Sequence, residues 1–179
     1  MRRKTILSAA ALVLICAIAL SLCSCLNSIH TDYSVEAYEK GLRYSSVMPR
    51  PDQFGDSEEV FTKHFQVDYA FFRSHTYILI AKYDREKYEE KRDRLLSSGG
   101  FETEPIKEPD YGDIATSFEL DGFHFGYLLL SEYPKRMYFI GYRDETRQIA
   151  YVWFDDKDID YIDTAFDQFL REHGWECPK

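Results

Sequence analysis

Three sets of residues in this chain have types and spacings that could do chemistry. The densest is the acidic run Asp155-Asp156-Lys157-Asp158-Ile159-Asp160-Tyr161-Ile162-Asp163. Asp156, Asp158 and Asp160 alternate as the oxygen ligands of a calcium loop do, with Asp167 in the closing position. The sixth position of such a loop needs Gly and holds Tyr161, and the bidentate closing Glu is replaced by a shorter Asp. Acids ahead of a helix and in its first turn cap it and complement its dipole, which is the simpler reading. The five histidines, at 30, 64, 75, 124 and 173, lack a paired-ligand spacing. His124 and Glu119 flank Asp121-Gly122 and could form an acid/base pair, although such cross-strand pairs are ordinary on solvated sheet faces. No nucleophile elbow, P-loop or dinucleotide fingerprint occurs. The expectation is therefore no enzyme, no metal and no cofactor.

The third set is the cysteines. Met1-Arg2-Arg3-Lys4 is basic, and from Ile6 to Leu22 nothing is charged, which is a signal-peptide layout. The run ends in Leu22-Cys23-Ser24-Cys25, which resembles the bacterial lipobox: an aliphatic residue three before the cysteine and a small one immediately before it. The resemblance implies that the Cys25 thiol receives a diacylglyceryl group, that the chain is cut before it, and that palmitate-type acyl chains hold it at the outer face of a membrane. Cys23 departs from the pattern, standing where Ala, Ser or Thr is commoner. Of four cysteines only Cys177 is left in the body of the chain, where no basic cluster adjoins it in sequence. The expected division is a signal peptide over 1–24, a lipidated N-terminus and short tether over 25–33, and a single domain over 34–179.

The elements that would position these groups can be read from punctuation and periodicity. Ser34 and Gly41 bound a short helix, and 49–56 is a Pro- and Gly-marked loop. Strands are expected over His64 to Phe72 and Tyr77 to Tyr83, joined across Arg73-Ser74-His75-Thr76. Asp84 caps a helix running to Ser98, where Gly99-Gly100 stops it. Asp121-Gly122 signals a type I′ hairpin in which Leu120 faces Phe123 and Phe118 faces Phe125. A second hairpin pairs Met137 to Arg143 with Gln148 to Phe154 across Asp144 to Arg147. Ile159, Ile162, Phe166, Phe169 and Leu170 recur at helical spacing, predicting a helix over about 158–173 that Gly174 ends. Together these predict an α+β fold: an antiparallel meander sheet of five or six strands with two main helices packed on it.

Composition excludes one partner class. Removing Arg2, Arg3 and Lys4 from the 22 Lys and Arg leaves 19 against 31 Asp and Glu, a formal charge of −12. Such a surface repels polyanions, so nucleic acid is set aside. All 14 Tyr, 13 Phe and both Trp follow the signal segment. In the second hairpin both faces are apolar. Tyr138, Ile140, Tyr142, Ile149, Tyr151 and Trp153 share one side; Met137, Phe139, Val152 and Phe154 share the other. If helices cover only one side, Tyr138, Tyr142, Tyr151 and Trp153 form an exposed patch for a protein partner, or for wall-glycan rings. The stretch Ala81-Lys82-Tyr83-Asp84-Arg85-Glu86-Lys87-Tyr88-Glu89-Glu90-Lys91-Arg92, with the later Tyr151-Val152-Trp153, resembles lipoproteins of Firmicutes that have no assigned activity. That likeness implies an address and a class, and no functional residue.

Overall fold

The computed structural model describes residues 27–42, 47–69, 72–97, 101, 106–108, 112–115, 117–127 and 132–178. The signal segment, Cys25 and the Gly99-Gly100 stop lie outside them. Two long stretches rich in β-branched and aromatic residues build the sheet's first hairpin, β2 (Glu59–Tyr69) and β3 (Phe72–Lys82). Strand β1 (Asn27–Asp32) pairs antiparallel with β2, so the segment expected as tether is an edge strand. Two short strands, β4 (Ile106–Glu108) and β5 (Gly112–Ile114), make a separate hairpin. Strands β6 (Ser117–Leu120), β7 (Phe123–Tyr127), β8 (Arg136–Arg143) and β9 (Gln148–Asp156) complete the main sheet.

The main sheet has seven strands in the order β1-β2-β3-β9-β8-β7-β6, all antiparallel. The α+β class stands, but the strand count is higher than expected and the order is not a simple meander. After β3 the chain crosses to the far edge and returns, so that β9 zips against β3. Asp121 and Gly122 both take positive φ, 51° and 79°, the conformation a type I′ turn requires. Leu120 faces Phe123 and Phe118 faces Phe125 in the resulting hairpin, as their spacing predicts.

Helix α1 (Val35–Gly41) is capped by Ser34, whose hydroxyl accepts from Ala37 N at 3.1 Å. Helix α2 (Arg85–Leu96) begins at Asp84, which accepts from Lys87 N at 2.9 Å. Both caps match the sequence reading. The C-terminal helix α3 spans only Phe166–Glu172. Ile159 and Ile162 pack on the core as their spacing suggested, but from an irregular segment. Apolar residues three apart can seat on a sheet without a helix beneath them.

The sheet is covered on both faces over its middle. On one face Phe123, Phe125, Phe139, Val152 and Phe154 pack under Phe166, Phe169, Leu170 and Trp175. On the other, Leu79, Ala81, Tyr138, Ile140, Ile149 and Trp153 lie under Tyr38 of α1, Phe54 of the 3-10 turn Pro51–Phe54, and Tyr88 of α2. Each fully buried large side chain contributes roughly 1.5–3 kcal/mol of transfer free energy. Among the described residues no helix is long and apolar enough to cross a membrane.

Candidate binding groove

The register of four strand pairs places Asp32, His64, Tyr77, Trp153 and Tyr138 in one row across β1, β2, β3, β9 and β8. Directly opposite side chains in a sheet stand on the same face, and here the rings stack. His64 lies on Tyr77 at 4.4 Å with planes 2° apart, and Tyr77 lies on Trp153 at 5.3 Å. The next row outward holds His30, Gln66, His75, Asp155 and Arg136, and beyond it lie Ser28, Asp68 and Arg73. On this face the aromatic row is thus a border. On its inner side the helices bury an apolar core, and on its outer side the sheet is polar and open.

Two clefts meet at that border and share Tyr77. One, of about 450 Å³, runs between α1 and the sheet and is lined by Asp32, Glu36, Lys40 and His64. The other, of about 300 Å³, is lined by Arg73, His75, Trp153, Asp155 and Lys157. Gly41 closes the end of α1 directly onto Tyr77: a Cβ there would run into the tyrosine ring. Without that glycine α1 would be held away from the sheet and the first cleft would have no roof.

His64 Nε2 and His75 Nδ1 are 3.1 Å apart. Burial, followed by the neighbouring His75, pushes His64 down to about 4. Burial and then Arg73 lower His75 as well, against the opposing pull of Asp155. Both rings are neutral near pH 7, and one N–H is donated to one bare nitrogen. The polar rows are tied down by their own bonds. Arg73 Nε donates to Asp68 at 2.6 Å and Arg136 Nε to Asp155 at 2.9 Å. The hydrogen bond from Arg73 holds the Asp68 carboxyl below its usual range.

The four residues expected to form an exposed aromatic patch do not form one. Tyr138 and Trp153 are 7% and 4% exposed, covered by the cluster that α1 and the 51–54 turn complete. Tyr151 is partly buried with its ring edge-on to Phe54, and Tyr142 stacks on His124 at 5.0 Å. The second face is apolar because it is core, and only its border row reaches the groove. Burial pushes the Tyr38, Tyr138 and Tyr83 hydroxyls far above the usual tyrosine range, and Tyr151 up to about 12. Among the described residues the buried Tyr83 hydroxyl has no hydrogen-bond partner, while Lys91 sits over its ring.

The other sequence candidates are structural. Glu119 and His124 pair across the hairpin, both well exposed. In the acidic run Asp156 accepts from Asp158 N at 2.9 Å, a local turn; the helix starts eight residues later, so these acids do not cap it. Among the described residues no three His, Cys, Asp or Glu side chains are placed to hold a metal ion. Cys177 meets a cation in space that it lacks in sequence: Arg143 Nη1 donates to its Sγ at 3.4 Å. Burial nevertheless raises the thiol, so it stays protonated. The tail around it is a strap. Trp175 Nε1 donates to Asp121 at 2.8 Å, and Glu176 takes both Lys63 Nζ and Tyr33 Oη at 2.7 Å.

Asp32, His64, His75 and Tyr77 carry the groove; the sequence marks His64 and His75 only as two of five scattered histidines and marks neither Asp32 nor Tyr77 as a site residue. The signal was present: His64, Gln66 and Asp68 alternate on one strand, and Arg73, His75 and Tyr77 on the next. It becomes legible only when Tyr69 is paired with Phe72. No family model matches this chain, and neither a curated protein nor a solved structure does.

Proposed function

We propose that this chain is a cell-envelope lipoprotein, held at the outer face of a membrane through Cys25, that serves as a non-catalytic module binding a protein partner in the groove beside the Asp32–His64–Tyr77–Trp153 row. The lipobox-like Leu22-Cys23-Ser24-Cys25 supports the anchor. The observation that carries the binding reading is the border row, which opens on two clefts with charges of both signs on their rims. Such a rim suits a polypeptide, which offers N–H and C=O groups and side chains of either charge.

A wall glycan fits less well. Sugar rings stack on the faces of aromatic side chains, whereas His64, Tyr77 and Trp153 turn their faces to one another. The test is photo-crosslinking in intact cells from a residue placed at Lys40, comparing the natural groove with Arg73→Glu combined with Lys157→Glu. The reading expects a discrete protein adduct that the double charge reversal removes. An adduct that survives the reversal sinks it, and calorimetric binding of purified wall glycan would replace it with the second reading.

A further inference from the structure

The end of β1, β2 and β3 marked by Asn27, Tyr69 and Phe72 carries a small apolar cluster outside both cores. Ile29, Tyr69 and Phe72 are 67%, 42% and 50% exposed. The register puts Asn27 opposite Tyr69 and Tyr69 opposite Phe72, and Ile29 opposite Val67, so all three side chains stand on one face. The cluster therefore gathers the tip of the β2–β3 hairpin and the first residues of β1. Only Leu26 separates Asn27 from Cys25, and two extended residues span at most about 7 Å. Whatever holds Cys25 is held within a side chain's length of this tip.

We propose that the hairpin tip is a membrane-contact element: Tyr69, Phe72 and Ile29 enter the headgroup region of the same bilayer that takes the acyl chains on Cys25. The inference rests on the lipidation reading. Its chemistry is that of an interface. Aromatic and aliphatic side chains at headgroup depth gain by leaving water, and tyrosine keeps its hydroxyl wet. Asp155 and Asp158 line a cleft with Arg73 and Lys157, and Asp156 stands in the row of Ile29 but on β9, three strands away. In the two outermost rows the carboxylate is Asp68, which is neutralised by Arg73 and accepts from Ser28 and Gln66. The rest of the domain is strongly acidic and is repelled by an anionic leaflet. Attraction at the tip and repulsion of the body together stand the sheet upright on the membrane. The groove of His64, His75 and Trp153, in the rows immediately above the tip, then faces sideways close to the bilayer surface.

The experiment uses the full lipidated chain with Phe72→Trp, reconstituted into phosphatidylcholine–phosphatidylglycerol vesicles with and without brominated acyl chains. Trp153 and Trp175 are buried and supply the background, which the unsubstituted protein measures. The introduced indole is expected to emit at shorter wavelength in vesicles than in detergent and to lose most of its emission to brominated lipid. Fatty-acid labelling of Cys25 is measured on the same preparation. Intact labelling with unquenched emission from the introduced indole overturns the tip and leaves the anchor standing, whereas absent labelling removes the anchor and the tip with it. Efficient disulfide formation between copies carrying Phe72→Cys in vesicles, together with that unquenched emission, would assign the cluster to a second copy of this chain and overturn the proposal.

Discussion

His64 on β2 and His75 on β3 share one hydrogen bond, 3.1 Å from Nε2 to Nδ1, beneath the open end of the sheet. The bond needs a bare nitrogen, so it exists only while at least one ring is neutral. The charged groups around the pair are Asp32 on β1, Asp68 on β2, Arg73 on β3, and Asp155 and Asp156 on β9. His64 sits at about 4 in the folded protein, below the 6.5 of the unfolded chain. Below that unfolded value the unfolded state binds the extra proton, so stability is full above pH 6.5 and falls as the pH drops toward 4. Urea midpoints at pH 7 and pH 5 should show this loss, and His64→Gln should flatten it. An unchanged slope in the variant would assign the loss elsewhere.

The strap at the C-terminus predicts an asymmetric pair of substitutions. The Lys63 side chain is 7% exposed and its partner Glu176 50%. Removing the carboxylate strands a buried ammonium, whereas removing the ammonium leaves a carboxylate that water can reach. Glu176→Ala should therefore cost about 1–3 kcal/mol, and Lys63→Met distinctly less. Urea denaturation of the two variants checks the order; equal losses would contradict it.

Gly41→Ala sets two effects against each other. Alanine in a helix gains roughly 0.5–1 kcal/mol over glycine. The new methyl meets the Tyr77 ring, and overpacking of that kind costs about 1–3 kcal/mol. The net effect should be destabilising, accompanied by a change in near-ultraviolet circular dichroism as the His64–Tyr77–Trp153 stack shifts. A stabilised variant would show that α1 can lift without cost.

Cys25→Ala should abolish incorporation of labelled fatty acid and release or mislocalise the protein. Labelling that persists in the variant would overturn the anchor. Metabolic labelling followed by fractionation of the envelope reads both outcomes.

Phe139 has no exposed surface and lies between Phe118 and Phe166. Phe139→Ala should cost about 3–5 kcal/mol, the usual range for an aromatic deleted from a core. Calorimetry would register it as a lowered Tm.

What the sequence discloses here follows how local the cause is. Ser34, Asp84 and the Asp121-Gly122 turn act through atoms a few residues away, and the structure has each of them in place. The two-faced hairpin of β8 and β9 was legible because alternation alone assigns sides. What covers those sides was not, because α1 and the 51–54 turn reach Trp153 and Tyr138 from far upstream in the chain. Arg73-Ser74-His75-Thr76 read as a turn because it is polar. It is strand, with Ser74 and Thr76 buried on one face while Arg73 and His75 line the open end of the other. The same openness hid β1, whose polar residues match an edge strand exposed on both faces from Ile29 to Asp32. Asp32, His64 and Tyr77 are brought together by register over three strands, and no spacing within one segment encodes that.

The crossing from β3 to the far edge has a cost in time. Strand β3 finds its second neighbour only in residues 148–156, yet the chain is made from its N-terminus. Until β9 arrives, Tyr77-Ile78-Leu79-Ile80-Ala81 presents an unpaired apolar edge, the kind of surface on which strands from other chains add. A chain truncated before β9 should therefore aggregate rather than stop as a smaller folded unit.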